Sequence, residues 1–130
     1  MNLQSSSRIS EMASHNDLGE KGEQLAVDFL IKKGYDIIER NYRFDKAEVD
    51  IIARQKDTLA IVEVKTRSSK DFGNPQDFVN TKKINLLVKA VDEYINIKDL
   101  EVDVRFDIIA IVKEGKGFDI EHLEDAFYHF

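Results

Sequence analysis

The chain contains no cysteine and only one proline among its 130 residues. Without cysteine, disulfides and thiolate metal sites are both excluded. No apolar run approaches the roughly 20 residues that a membrane-spanning helix requires, and the polar residues 1–15 lack the apolar core of a secretion signal. The composition therefore predicts a cytoplasmic protein that has no membrane partner.

Positive charge is also scarce, because 19 Lys and Arg residues face 25 Asp and Glu residues and leave a net charge of -6. This balance argues against a nucleic-acid partner, since phosphate contacts normally come from an excess of Lys and Arg. The argument against a nucleic-acid partner is weaker because many of the basic residues cluster in the middle of the chain. The basic residues found there are Lys65, Arg67, Lys70, Lys82, Lys83 and Lys89. Metal ions held by carboxylates would offset further negative charge.

The content of 42% hydrophobic and 34% charged residues is typical of one soluble globular domain. We expect residues 1–16 to form a flexible leader and residues 17–130 to form this domain. Asp17 and Glu20 have the spacing of a capping box, which predicts a helix from Asp17 to about Lys33. The segments 35–44, 47–53, 59–65, 80–97, 102–112 and 120–127 are then predicted as three strands, a helix, a strand and a short closing helix. This order predicts an α/β sandwich around a mixed sheet.

Two of these predicted strands carry charges where a buried strand should be apolar. Because side chains alternate between the faces of a strand, one face of the earlier strand should carry Glu48, Asp50 and Ile52, and the other Val49, Ile51 and Ala53. One face of the later strand should carry Leu59, Ile61, Glu63 and Lys65, and the other Ala60, Val62 and Val64. Each strand therefore presents acids on a single face.

The short polar linker between the two strands predicts an antiparallel hairpin. If the linker forms the loop, Arg54 faces Leu59 and Asp50 faces Glu63, whereas a shift of one residue would send the two carboxylates to opposite faces. We adopt the first register because it brings two acids and Lys65 to one patch.

The first predicted helix supplies one more acid that points inward. Its buried stripe is expected to consist of Gly22, Leu25, Ala26, Phe29 and Leu30, widened on one side by Val27. Glu23 projects between Val27 and Leu30, whereas the other acids of this helix project away. Glu23 is therefore a candidate to reach the same patch.

Each of these charged residues also has an ordinary structural interpretation. Glu63 and Lys65 could form an exposed cross-strand arrangement in which Glu48 and Lys65 make a salt bridge. Glu23 could extend to water from the edge of the helix face. The candidates for phosphate contacts are Arg43, Arg67, Lys82 and Lys83, and solvated charge or helix capping is the alternative for each.

Other polar residues are expected to be structural or incidental. Arg105 and Asp107 alternate with apolar residues in a predicted strand, which favours a structural ion pair. Tyr42 could line the patch with Asn41 or pack in the core. His15, His122 and His129 lack the spacing of metal ligands, and we expect them to be incidental.

Several short motifs occur in a fixed order along the chain. They are Gly22-Glu23-x-x-Ala26, Glu48-x-Asp50, Glu63-Val64-Lys65-Thr66-Arg67, Val79 with Lys83, Arg105-Phe106-Asp107 and Ala126-Phe127. Together they resemble the YraN-like bacterial family of the PD-(D/E)XK nuclease superfamily, which is close to Holliday-junction resolvases. One departure is Ala47, where the family usually has glycine, so a backbone turn of positive φ must be built differently there.

The resemblance implies a three-layer restriction-endonuclease-like core of order α-β-β-β-α-β and Mg²⁺-dependent phosphodiester cleavage, with Mn²⁺ as a substitute ion. Asp50 matches the superfamily aspartate, Glu63 and Lys65 match the (D/E)XK pair, and Glu23 matches the acid that resolvase-like members supply from the first helix. Our hypothesis is that Asp50, Glu63 and the Val64 carbonyl hold the metal, with Glu23 bound directly or through water, while Lys65 orients the attacking water.

The leading functional prediction is therefore a DNA endonuclease that acts on branched recombination or repair intermediates, and resolvase-like enzymes often act as homodimers. Two alternatives keep the fold without the reaction. One is a nucleic-acid-binding module with an inactive site, and the other is a protein-interaction domain, which the acidic balance would suit.

Overall fold

The computed structural model describes residues 3–68 and 79–127, with side chains from residue 17 onward. Its elements are α1 (Leu3–Lys32), β1 (Asp36–Phe44), β2 (Ala47–Gln55), β3 (Thr58–Arg67), α2 (Thr81–Lys98), β4 (Asp103–Glu114) and β5 (Gly117–Leu123). The predicted order α-β-β-β-α-β is confirmed, and one further strand follows it. Lys70 and His129 lie outside the described residues.

The strands form one sheet in the order β1-β2-β3-β4-β5. The β3–β4 pair is parallel, and the other pairs are antiparallel. A parallel pair needs a crossover connection, and α2 supplies it. In the described part of the chain, no helix has the length and apolar character that crossing a membrane would need.

Each face of the sheet is covered by one helix, so that the molecule has three layers. The face toward α2 buries residues including Ile52, Leu59, Ile61, Leu87, Val91 and Phe106. The face toward α1 buries residues including Ala26, Leu30, Ile51, Ala60, Val62 and Ile109. The sequence of a strand that is covered on both faces is apolar without alternation, as at residues 59–62. The structure is thus consistent with the predicted restriction-endonuclease-like core.

The second helix has the predicted ends. The side chain of Asn80 accepts a hydrogen bond of 2.9 Å from the Lys83 backbone N–H and so caps the first turn. Asp99 takes a left-handed conformation after the last turn. The cap fixes where the first turn of α2 lies, and with it the position of Lys83.

Two predictions about the ends of the chain's folded part are wrong, one on where the first helix begins and one on the type of the closing element. The first helix begins at Leu3, so Asp17 lies inside it and is not its N-cap; the division of the chain into a leader and a domain stays a prediction. The predicted closing helix is instead β5, which pairs with β4 through Ile111 and Ile120. Phe118 and Ile120 pack on the α1 face, so the decisive pattern here is the two-residue period of a strand.

Helix α1 lies very close to β3 where Gly22 meets Thr66. A Cβ atom at Gly22 would lie 1.9 Å from the Thr66 Oγ1 atom and 2.9 Å from its Cβ atom. Only glycine allows this approach, because any other residue would force the helix away from the strand. Glu23, the next residue, is thereby held beside the C-terminal half of β3.

Replacing Gly22 by alanine should destabilise the protein by about 1–3 kcal/mol, since overpacking forces the backbone to shift. Gly19→Ala is the matched control, because nothing lies within 4 Å of a Cβ atom there and alanine favours the helix by roughly 0.5–1 kcal/mol. Urea unfolding of both variants measures the difference. A second replacement, Thr66→Ala, should recover part of the loss; equal stability of the two glycine variants would contradict the close packing.

Candidate functional site

The β2–β3 hairpin has the predicted register and then departs from it at the acidic residues. Regular pairing runs from Gln55 and Thr58, through Arg54 and Leu59, to Ile51 and Val62. The prediction that Arg54 faces Leu59 is therefore confirmed.

Beyond this ladder, two carboxylates replace backbone partners. The Asp50 backbone N–H donates a hydrogen bond of 3.2 Å to Glu63 Oε2, and the Val64 backbone N–H donates one of 2.8 Å to Asp50 Oδ2. Each acid thus binds the backbone of the opposite strand. Asp50 and Glu63 lie together, as the chosen register predicts, and we call this arrangement the crossed carboxylate pair.

The alternation predicted for β2 fails at the same point. Val49 and Ile52 pack on the α2 face, whereas Ile51 and Ala53 pack on the α1 face. The predicted grouping of Val49 with Ile51 and Ala53 is therefore wrong. The change of face lies at Asp50, where the regular β2–β3 ladder has ended.

Neighbouring strand β1 is also irregular at this level. Its register with β2 places Asn41 opposite Asp50, between the pairs Arg40 with Ile51 and Tyr42 with Val49. Asn41 has a φ of 52°, in the left-handed region that a non-glycine residue rarely adopts within a strand. Tyr42 packs edge-on against Tyr94 in the core.

Burial makes it costly in free energy to ionise both acids of the crossed carboxylate pair. Burial, and after it the charge of Glu63, raise the pKa of Asp50 to about 7, against the opposing hydrogen bond from Val64. Glu63 is only 5% exposed, and burial likewise raises its pKa. Two acids held together with little water favour either a bound proton or a bound cation.

Lys83 is the cation that lies closest to Glu63. Its Nζ atom lies 2.9 Å from Glu63 Oε1. Burial opposes the charged lysine, but its interactions with Glu63, together with the charges of Asp50 and Glu48, outweigh burial and raise the pKa of Lys83. Glu63 Oε1 is buried, and apart from this ion pair it has no hydrogen bond among the described residues. Lys83, which we predicted to contact phosphate, here neutralises Glu63.

Lys65 lies at the same end of β3. Burial lowers the pKa of Lys65, and so do the nearby charges of Arg67 and Lys83, while Asp50 opposes them. Lys65 and Asp50 line a small cavity on each side of the sheet. The cavity toward α1 also contains Glu23 and Thr66, and the cavity toward α2 contains Glu63 and Lys83. Asp50 is thus accessible from both faces of the sheet, and Glu63 from the face toward α2.

Glu23 approaches from α1 and is held by β1. Asn41 Nδ2 donates a hydrogen bond of 3.0 Å to Glu23 Oε1, and Arg40 Nε lies 3.5 Å from the same oxygen. Among the side chains described, no three His, Asp or Glu residues are grouped closely enough to hold a metal ion. The carboxylates that lie together at the centre are therefore Asp50 and Glu63, with Glu23 at the side.

The remaining predicted residues are less central. Glu48 lies beside Arg43, with its Oε2 atom 3.2 Å from Arg43 Nη2, at an exposed position. Lys82 is exposed in the first turn of α2. Of the predicted phosphate contacts, Arg67 and Lys83 lie near the site, whereas Arg43 is engaged by Glu48.

A second cluster of charged residues is structural, as predicted for Arg105 and Asp107. Arg105 donates to both oxygens of Asp107 at 2.9 and 2.8 Å, and Arg105 also contacts the hydroxyl of Tyr35. The prediction that His122 is incidental is wrong, because its Nε2 atom lies 2.8 Å from Asp107 Oδ2 and its side chain is only 2% exposed. The alternation of Phe118, Ile120 and His122 along β5 was the signal for this.

Comparison with known sequences agrees with these features. The family described as "Uncharacterised protein family UPF0102" matches residues 22–111. A UPF0102 protein of Flavobacterium psychrophilum is 66% identical over 92% of this chain and 100% of its own length. A UPF0102 protein of Phocaeicola vulgatus is 46% identical over 90% of this chain and 97% of its own length.

The chain belongs to the UPF0102 family. This is the YraN-like, PD-(D/E)XK nuclease-like family that the motifs resemble, so the resemblance is confirmed. The family match begins at Gly22 and includes the crossed carboxylate pair, Lys65 and Lys83. The family description names no reaction.

The raised pKa of Asp50 predicts how stability depends on pH. The folded state holds a proton more tightly than the unfolded state, so stability should fall as the pH rises from the ordinary value of 3.8 to about 7. Asp50→Asn removes this ionisation and should be more stable than the wild type at about pH 8, with a smaller difference at about pH 5.

Thermal unfolding in the absence of divalent ions measures this dependence. Asp119→Asn is the control, because Asp119 is exposed on β5, and its stability difference from the wild type should stay constant. A wild-type stability that rises with pH relative to Asp50→Asn would contradict the electrostatic description of the site.

Proposed function

We propose that this UPF0102 protein is a Mg²⁺-dependent endonuclease that hydrolyses phosphodiester bonds in DNA. The observation that carries the proposal is the crossed carboxylate pair, in which Asp50 and Glu63 are held together by backbone hydrogen bonds. Perturbed acids in a small cavity beside a lysine are characteristic of catalytic sites.

The residues present fit a magnesium ion. Mg²⁺ is commonly bound by one or two carboxylates, with waters and substrate phosphate completing its coordination. Glu63 Oε1 is buried without a hydrogen bond among the described residues, and Asp50 uses Oδ2 for Val64, so Glu63 Oε1 and Asp50 Oδ1 are the proposed ligand atoms. The Val64 carbonyl is the proposed backbone ligand, and Glu23 would act through water from the side.

Each residue then has a separate role. A bound Mg²⁺ ion supplies Lewis-acid activation of the scissile phosphate and of a water molecule. Lys65 balances the negative charge that develops on the phosphate, and Arg67 adds positive charge beside it. Asn41 positions Glu23 by its hydrogen bond. The strained backbone at Asn41 is thus explained by what its side chain holds.

The resemblance to Holliday-junction resolvases supports branched DNA as the substrate, with a homodimer as the working form. The alternative is a nucleic-acid-binding module without catalysis. The ion pair of Lys83 and Glu63 favours that alternative, because a site that is already neutralised by its own lysine has less need of a metal ion.

Cleavage and metal binding separate these functions. With Mn²⁺ or Mg²⁺, the wild type should cleave branched DNA, and Lys65→Ala should lose at least about 100-fold in rate, the size of a lost charge-stabilising group. Calorimetric titration with Mn²⁺ should give a similar affinity for this variant and the wild type, whereas Asp50→Asn and Glu63→Gln should lose binding.

Lys89→Ala serves as the control for the lysine and Asp119→Asn for the acids, because both residues are exposed and neither lines the cavities of the site. Equal Mn²⁺ affinity in the wild type and in Asp50→Asn would exclude the proposed metal site. DNA binding without cleavage by the wild type would favour the module.

Lys83 should compete with the metal ion for Glu63. Lys83→Gln removes the ammonium group that lies 2.9 Å from Glu63 Oε1, so its affinity for Mn²⁺ should rise by about tenfold, equivalent to roughly 1.4 kcal/mol. The same calorimetric titration measures this, with Lys89→Gln as the matched control on α2. An unchanged or weaker affinity would show that Lys83 does not occupy the position of the ion.

A further inference from the structure

A groove next to the crossed carboxylate pair contains a separate cluster of lysines. It lies between α1 and the β4–β5 turn, has a volume of about 610 Å³, and is lined by Lys21, Lys113 and Lys116 together with Ser68. Asp17 is the acid that also lines it. We call it the lysine groove. An excess of positive charge is notable in a chain whose net charge is -6.

The sheet separates charges by face at this point. Lys113 lies directly opposite Phe118 in the β4–β5 pairing, and Phe118 packs on the α1 face. Asp119 alternates with Phe118 and Ile120, so it lies on the other face. The acids of β5 are therefore turned away from the lysine groove, and the exposed Lys113 shares the face that α1 covers.

The lysine groove continues from the site along β3. Ser68 follows Lys65 by three positions, which is roughly 10 Å of extended chain at about 3.3 Å per residue. Residues Arg67 and Val112 pair between β3 and β4, so Lys113 is adjacent to Ser68. Measured along the axis of a DNA duplex, roughly 10 Å corresponds to about three base pairs, at 3.4 Å of rise each.

The chemistry of the groove suits phosphates better than bases. Proteins that bind single strands offer exposed aromatic faces on which bases stack. Here the aromatic ring in the groove is Phe118, and Lys21 Nζ lies 5.3 Å from its centroid. This cation–π contact holds Lys21 over the ring, which leaves ammonium groups as the exposed surface.

We propose that the lysine groove binds the phosphate backbone of duplex DNA next to the scissile bond. The inference rests on the proposed function, because the crossed carboxylate pair supplies the scissile position. Lys113 and Lys116 make the phosphate contacts from the β4–β5 turn, and Lys21 contacts the backbone from α1. The groove thereby selects duplex arms flanking the cleavage point.

The test is DNA binding by Lys113→Gln/Lys116→Gln, since both residues are exposed and their replacement leaves the fold unstrained. The control is Lys56→Gln/Lys98→Gln, which removes the same charge at the β2–β3 turn and at the end of α2. Affinity for a short DNA duplex is measured by fluorescence anisotropy with Ca²⁺, between about 50 and 200 mM salt.

The groove variant should bind the duplex about tenfold more weakly than the control. The slope of log affinity against log salt should also fall by about 1.8, since each phosphate contact contributes about 0.9. Mn²⁺ binding should be unchanged in both variants.

The outcomes distinguish this inference from the proposed function. If the groove variant binds and cleaves duplex arms as the control does, the groove inference is wrong while the nuclease proposal stands. If the groove variant loses affinity although the wild type cleaves nothing, the groove inference is supported and the nuclease proposal fails. A wild type that binds no duplex overturns the groove inference, and a preference for single strands does the same.

Discussion

The crossed hydrogen bonds between Asp50, Glu63 and the backbones of β2 and β3 are the constraint on which the candidate site depends. A regular antiparallel ladder would satisfy those N–H groups with carbonyls and leave the acids free to turn toward water. In this protein the acids take over that role, so neither can leave without exposing an unpaired N–H group. The result is two carboxylates held close together where burial raises the pKa of both. Ionising both of these close, buried acids is unfavourable, and a bound cation would offset that cost.

Two helices on opposite faces then complete the surroundings of this pair. From one face α1 brings Glu23, because Gly22 lets the helix backbone approach Thr66. From the other face α2 brings Lys83, because Asn80 caps the helix at its first turn. Helix α2 forms the crossover between the parallel strands β3 and β4, and it therefore covers the face of the sheet opposite α1. The layered fold thus gives one sheet position access to charged groups from two directions.

The acid Asp107 shows what a purely structural carboxylate looks like in the same molecule. It is fully buried, and it accepts hydrogen bonds from Arg105 and from the Asp125 backbone, with His122 2.8 Å away. Burial opposes its charge, but these partners outweigh burial and lower the pKa of Asp107. At the crossed carboxylate pair, burial instead outweighs the partners. This contrast separates acids that hold the fold from acids that are available to a ligand.

The sequence alone determined the order of elements as far as β4, the register of the β2–β3 hairpin, the start of α2 and the meeting of Asp50 with Glu63, because these follow from local periodicity and short loops. It could not determine the change of face at Asp50, since alternation assumes an unbroken ladder. Nor could it assign Lys83 to Glu63, Asn41 to Glu23 or His122 to Asp107. Those pairs join segments distant in the chain, and only the stacking of two helices on a five-stranded sheet brings their side chains within hydrogen-bonding distance.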